Sequence, residues 1–217
     1  MSNEQSADHW AQALAEVEAE IAKLQGMADK EKNASLLRLS DIAFELFDSI
    51  LPAGAEILGN ITENVLATLV GEMTTNVLEH SRADNLVLAV QYWPSADTAA
   101  LCLVDDGQGI YGSLVSAGRN VSNPKSALER VVREHLSAKD EFGLITRGYG
   151  ILTARRLLVN NDVLGQISIL TGNALFTDEY PGGSIIRDFS NFVWQGTLVH
   201  MQFRNPEKRL VYTDYVY

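Results

Sequence analysis

The sequence predicts an α+β fold, on three observations. Apolar residues recur at helical spacing through residues 8–32, 34–51 and 55–81. Four later segments, Leu86–Trp93, 99–104, 166–170 and 196–203, read as strands. Helical segments at 124–138 and 149–159 fall between the second and third of these strands.

In the first segment Trp10, Leu14, Val17, Ile21 and Leu24 recur at steps of four and three, with Glu and Lys between them. That is a seam of about two heptads. It suits a helix lying on its own domain as well as it suits a homodimer seam. Gly26 and the polar stretch 29–33 break it, and a second amphipathic segment, 34–51, is ended by Pro52 and Gly54. Over 55–81, Ile57, Ile61, Val65, Leu66, Leu69, Met73, Val77 and Leu78 form one broad stripe. The first two strands are joined by the turn Pro94-Ser95-Ala96-Asp97. A long polar stretch, 107–147, holds the helix at 124–138, with Pro124 suited to its first turn. Residues 172–192, containing Pro181-Gly182-Gly183, read as a loop or hairpin excursion before the last strand. The chain thus divides into an N-terminal helical extension (1–54), a main domain (55–205) and a C-terminal tail (206–217).

With 217 residues and 46% hydrophobic content the chain can bury one sizeable core. A net charge of −11 repels nucleic acid from most of the surface, so no nucleic-acid partner is expected. The one cysteine, Cys102, lies in an apolar run and reads as a small buried hydrophobe. The acidic N-terminus does not resemble a signal peptide, and no run is long enough to span a bilayer. A soluble, cytoplasmic protein without a membrane partner is the expectation.

Four short segments carry the chemistry. Glu72 and Asn76 lie one helical turn apart on one face, away from the apolar stripe. An Asn oxygen is a suitable Mg²⁺ ligand, and a carboxylate one turn away can orient or deprotonate water or a hydroxyl. The pair alone reads more readily as a solvated helix face, since polar pairs at this spacing are common. Asp105-Asp106-Gly107-Gln108-Gly109 follows an apolar strand; an acid there can accept a hydrogen bond from an exocyclic amine, and glycines let backbone approach a flat ring. Gly148-Tyr149-Gly150 opens a helix, a suitable seat for phosphate, with Lys139 and Arg147 upstream to add charge. Gly196-Thr197 begins the last strand, and no Walker G-x-x-x-x-G-K-[ST] motif occurs.

In order and in element type, Glu72-x-x-x-Asn76, Asp105-x-Gly107-x-Gly109, Gly148-x-Gly150 and Gly196-Thr197 resemble the four nucleotide-binding boxes of the GHKL ATPase superfamily. The Glu72-x-x-x-Asn76-x-x-x-His80 pattern is most similar to its anti-sigma-factor serine kinases and stand-alone ATP-binding proteins. The long stretches at 110–147 and 172–192 fit the stand-alone proteins better. The resemblance implies a Bergerat fold: a two-layer sandwich with a mixed, mostly antiparallel sheet and helices on one face. It implies ATP and Mg²⁺ as ligands, with Glu72 the general base and Asn76 the metal ligand. Asp105 would accept from the adenine amine, with Gly107 and Gly109 lining the base. Gly148 and Gly150, flanked by Tyr149, would close on the phosphates, Thr197 would complete the adenine contact, and 110–147 would be a mobile lid. His80 reads as the partner of a carboxylate or backbone group near the helix end. His9 lacks the surroundings of a phospho-acceptor, which counts against a complete sensor histidine kinase.

The expected function is that of an ATP-binding regulatory protein, a kinase or ATPase acting on a protein partner. A nucleotide-gated interaction module with little turnover is the alternative, and a dimerising ATPase clamp is a weaker third.

Overall fold

The computed structural model describes residues 63–134, 136, 150–160, 162–204 and 210; the features read from residues 1–62, from most of the tail and from Lys139, Arg147, Gly148 and Tyr149 lie outside them. The described part is an α+β domain of four α-helices and a six-stranded sheet.

Helix α1, Glu63–Asn76, buries Leu69, Val70 and Met73, which share one face at helical spacing. It continues into one π-helical turn, Val77–Ser81, and stops where Arg82 takes a left-handed conformation with φ 54°. The Ser81 hydroxyl closes this end: it donates to the Val77 carbonyl at 2.6 Å and accepts the Ala83 N–H at 3.0 Å.

Strands β1 (Leu86–Trp93) and β2 (Thr98–Asp105) form a hairpin across the short 3₁₀ turn Pro94–Ala96. Burial alternates along β1, with Leu86, Leu88 and Val90 inward and Val87, Ala89 and Gln91 outward, the period of two that a one-sided sheet imposes. The other strands are β3 (Gln166–Gly172), β4 (Ala174–Glu179), β5 (Gly183–Asp188) and β6 (Trp194–Arg204). Their order is β1-β2-β6-β3-β4-β5, and every pairing is antiparallel. The mixed sheet expected from the sequence is therefore replaced, among the described residues, by a wholly antiparallel one. Segment 172–192 forms the β4–β5 hairpin, which widens the sheet by two strands.

Two helices occupy much of the stretch expected to be a mobile lid. Helix α2 spans Gly109–Ser116 and helix α3 spans Pro124–Glu134. Leu114, Val121 and Ala127 form a small core of their own, while Leu128 and Val132 join the main one. Helix α3 is the helix read at 124–138, begun at Pro124 as expected, whereas α2 lies in a stretch whose Gly and Ser content reads as loop. Residues 137–149 of the stretch lie outside the described residues. Helix α4, Gly150–Leu158, buries Ala154, Leu157 and Leu158.

The main core lies between the helices and one face of the sheet. Leu101, Ile167, Ile169 and Met201 are fully buried there against α1, α3 and α4. Each such side chain contributes about 1.5–3 kcal/mol of hydrophobic stabilisation. Cys102 points to the opposite face and is half-buried, not the buried residue its apolar run suggests, because the strand alternation turns it away from the helices. That partial burial still raises its thiol pKa. Among the described residues no helix is long and apolar enough to cross a membrane.

Candidate functional site

At one end of the sheet, Glu72, Asn76, Asp105, Gly109, Gly150 and Thr197 line a common cleft of about 130 Å³, open to solvent. Residues from all four sequence segments therefore meet.

One wall comes from α1 and α4. Glu72 is exposed and Asn76 half-buried, with buried Met73 between them holding the helix to the core. The first residue of α4, Gly150, sits directly against the pair. A Cβ there would lie 2.8 Å from Glu72 Oε2, 3.1 Å from Glu72 Cβ and 3.5 Å from Asn76 Nδ2. The N-terminus of α4, with the positive end of its dipole, thus opens beside a carboxylate and an amide.

The opposite wall is built on Asp105, at the end of β2 and 3% exposed. Its carboxylate accepts the Gly107 N–H at 2.9 Å. Thr197 is its register partner on β6 and lies beside it across the sheet. Burial raises the Asp105 pKa above the usual carboxylate range, and the Gly107 N–H and the neighbouring polar groups of Thr197 work against that rise. Thr197 thus supports Asp105 as well as lining the cleft. Between the walls, Leu103, Ile151 and Val199 give the cleft an apolar lining suited to a flat ring.

Gly107 is not among the residues that line the cleft. It packs on the end of α1, where a Cβ would meet the Ser81 carbonyl oxygen at 2.3 Å. The next residue completes the join: Gln108 donates from its backbone to Ser81 O at 2.7 Å and from Nε2 to His80 O at 2.7 Å. Asp106 fastens the loop on its other side. It accepts the Asp84 N–H at 3.0 Å, the Asn85 N–H at 2.9 Å and the Asn85 side-chain amide at 2.7 Å. The Asn85 bonds foremost hold its carboxyl below the usual range. The loop after β2 is thereby locked to the helix carrying Glu72 and Asn76.

Gly109 lines the cleft and needs to be glycine, since it has φ +67° and packs against Thr171 Oγ1. His80 also lines the cleft, with Nε2 3.9 Å from Glu79. The sequence did not single out Thr171, Ser81 or Gln108. Thr171 is buried near the end of a strand and resembles any other β-branched strand residue until its partners across the sheet are known.

Among the described residues no three His, Cys, Asp or Glu side chains gather as a ready metal cage. Mg²⁺ needs none, since it takes one or two protein ligands and completes its shell with water and substrate phosphates. Asn76, beside the first residue of α4, has the chemistry for that part.

The fold and cleft define an α+β protein with a carboxylate and an amide at one side of a cleft and a buried, hydrogen-bonded acid at the other. Compared with known proteins, no family model matches this chain and no curated protein matches it in sequence.

Proposed function

We propose that this protein binds Mg-ATP in the cleft as a member of the GHKL group with a Bergerat-type domain, and that it acts on a protein partner as a serine/threonine kinase or ATPase. The observation that carries this proposal is the meeting of Glu72, Asn76, Asp105, Gly109, Gly150 and Thr197 around one cleft, from four segments widely separated in the chain. Asp105 accepts the exocyclic amine of adenine, and Gly109 lies beside the base. Asn76 ligates Mg²⁺, and the amide groups opening α4 receive phosphate. Glu72 stands where it can accept a proton from water or a partner hydroxyl as that oxygen attacks the γ-phosphorus, with ADP as the leaving group. In such transfer, positioning and electrostatics supply most of the rate.

Incubation with γ-labelled ATP and proteins captured with the chain tests the proposal. Label on a partner that is lost with Glu72→Ala supports kinase action. Free phosphate lost with the same variant supports the ATPase form. Tight Mg-ATP binding with background turnover in both assays identifies a nucleotide-gated interaction module instead.

A further inference from the structure

Thr171, the penultimate residue of β3, is 1% exposed and lies outside the set of residues that the nucleotide motifs single out. Its hydroxyl is fully used. Oγ1 accepts the Ile110 N–H at 3.0 Å and donates to the Gly196 carbonyl at 3.2 Å. Ile110 belongs to the first turn of α2 and Gly196 to β6, so one hydroxyl ties together two elements that flank the cleft. Gly109 closes on the same atom: a Cβ there would lie 2.7 Å from Thr171 Oγ1 and 3.0 Å from Gly196 O. In the sheet, Thr171 pairs with Thr197, and Thr197 pairs with Asp105. Thr171, Thr197 and Asp105 therefore form one lateral row on the helix-covered face.

We propose that Thr171 is a positioning residue that fixes the spacing of Gly109 and Gly196 beside the base, and thereby enforces the preference of the cleft for adenine over guanine nucleotides. This inference rests on the nucleotide reading of the cleft. A buried acid discriminates between bases only if the ring edge is held at a fixed distance and angle from it, since hydrogen bonds weaken steeply with misalignment. Asp105 is anchored through Thr197. The ring is held from the side of α2, and Thr171 is the side chain that joins α2 to β6. Removing the hydroxyl leaves the Ile110 N–H without its acceptor and frees the first turn of α2 to shift.

The test uses the full chain and three variants. Thr171→Val keeps the shape without the hydroxyl, and Thr171→Ala removes it without bulk should the Val variant fail to fold. Thr171→Ser retains both hydrogen-bonding roles. Dissociation constants for Mg-ADP and Mg-GDP are measured by calorimetry, with amide exchange at Ile110 as a ligand-free readout. The expected result is a GDP-to-ADP ratio that falls about tenfold in Val or Ala, with faster Ile110 exchange, and returns to within about threefold of wild type in Ser. A merely structural role would lower the melting temperature and leave the ratio unchanged. Val and Ala variants with the wild-type ratio overturn the inference while leaving the nucleotide reading intact. A wild-type chain that binds neither nucleotide overturns the nucleotide reading, and the inference falls with it.

Discussion

Gly150 leaves no room for a side chain against Glu72: a methyl group there would stand 2.8 Å from the carboxylate oxygen Oε2. The contact joins the start of α4 to the face of α1 that carries both the proposed base and the proposed metal ligand. Oε2 ends a flexible side chain and can swing aside, while Glu72 Cβ at 3.1 Å need give by only a few tenths of an ångström, so a substitution chiefly moves the carboxylate. Gly150→Ala should keep its melting temperature within a few degrees of wild type, as alanine is favoured over glycine in a helix. Phosphate release or transfer should nevertheless fall at least about tenfold, as read by a coupled phosphate assay beside a thermal melt.

Glu72 itself is exposed and contributes little to the core, so Glu72→Gln should fold normally. It should bind Mg-ADP within about threefold of wild type and lose about 10²-fold or more in turnover, the usual share of a general base. Calorimetry and single-turnover kinetics on one preparation separate the two effects.

Asp105 links function to pH-dependent stability. Burial raises its folded-state pKa above the ordinary 3.8. Below pH 3.8 both folded and unfolded states carry the proton and no penalty exists. As pH rises through the raised folded value, the buried charge progressively costs stability. The Asp105→Asn variant carries no such charge. Its melting temperature relative to wild type should therefore climb between pH 4 and pH 8, whatever the offset from altered hydrogen bonds. Calorimetric melts at the two pH values check the sign; a difference that shrinks with rising pH contradicts it. The same variant should weaken adenine selectivity.

Gly196 is the least replaceable glycine of the site. Its φ is +92°, and a Cβ would lie 2.0 Å from the Asp105 carbonyl oxygen, which is backbone and cannot swing aside. Gly196→Ala should lose more than about 3 kcal/mol, adding a steric clash to an unfavourable backbone conformation. Denaturant unfolding with a Gly118→Ala control gives the comparison. Gly118 shares a positive φ, at +72°, but meets nothing within 4 Å.

Much of this fold was legible because local periodicity and tertiary burial agree. The alternation of Leu86, Leu88 and Val90 with Val87, Ala89 and Gln91 gives β1 both its span and its inward face. Glu72 and Asn76 could be paired from helix geometry alone, and Gly150 could be put at a helix start. Other features depend on partners distant in sequence. The close approach of Gly107 to Ser81 cannot be read from the chain, and Thr171 acquires its partners only from Ile110 and Gly196. Helix α3 was legible from Pro124 onward, but α2 and the packing of both were obscured by composition: Gly and Ser outweighed the few apolar residues, Leu114, Val121 and Ala127, that hold the region down.

Mg-ADP titration of the intact chain, followed calorimetrically with and without Mg²⁺ and repeated on Asn76→Ala, tests the central claim most directly. Saturable binding that weakens sharply without Mg²⁺ and is lost in Asn76→Ala is the result expected of this cleft. No binding of ADP or ATP to the wild-type protein would contradict it.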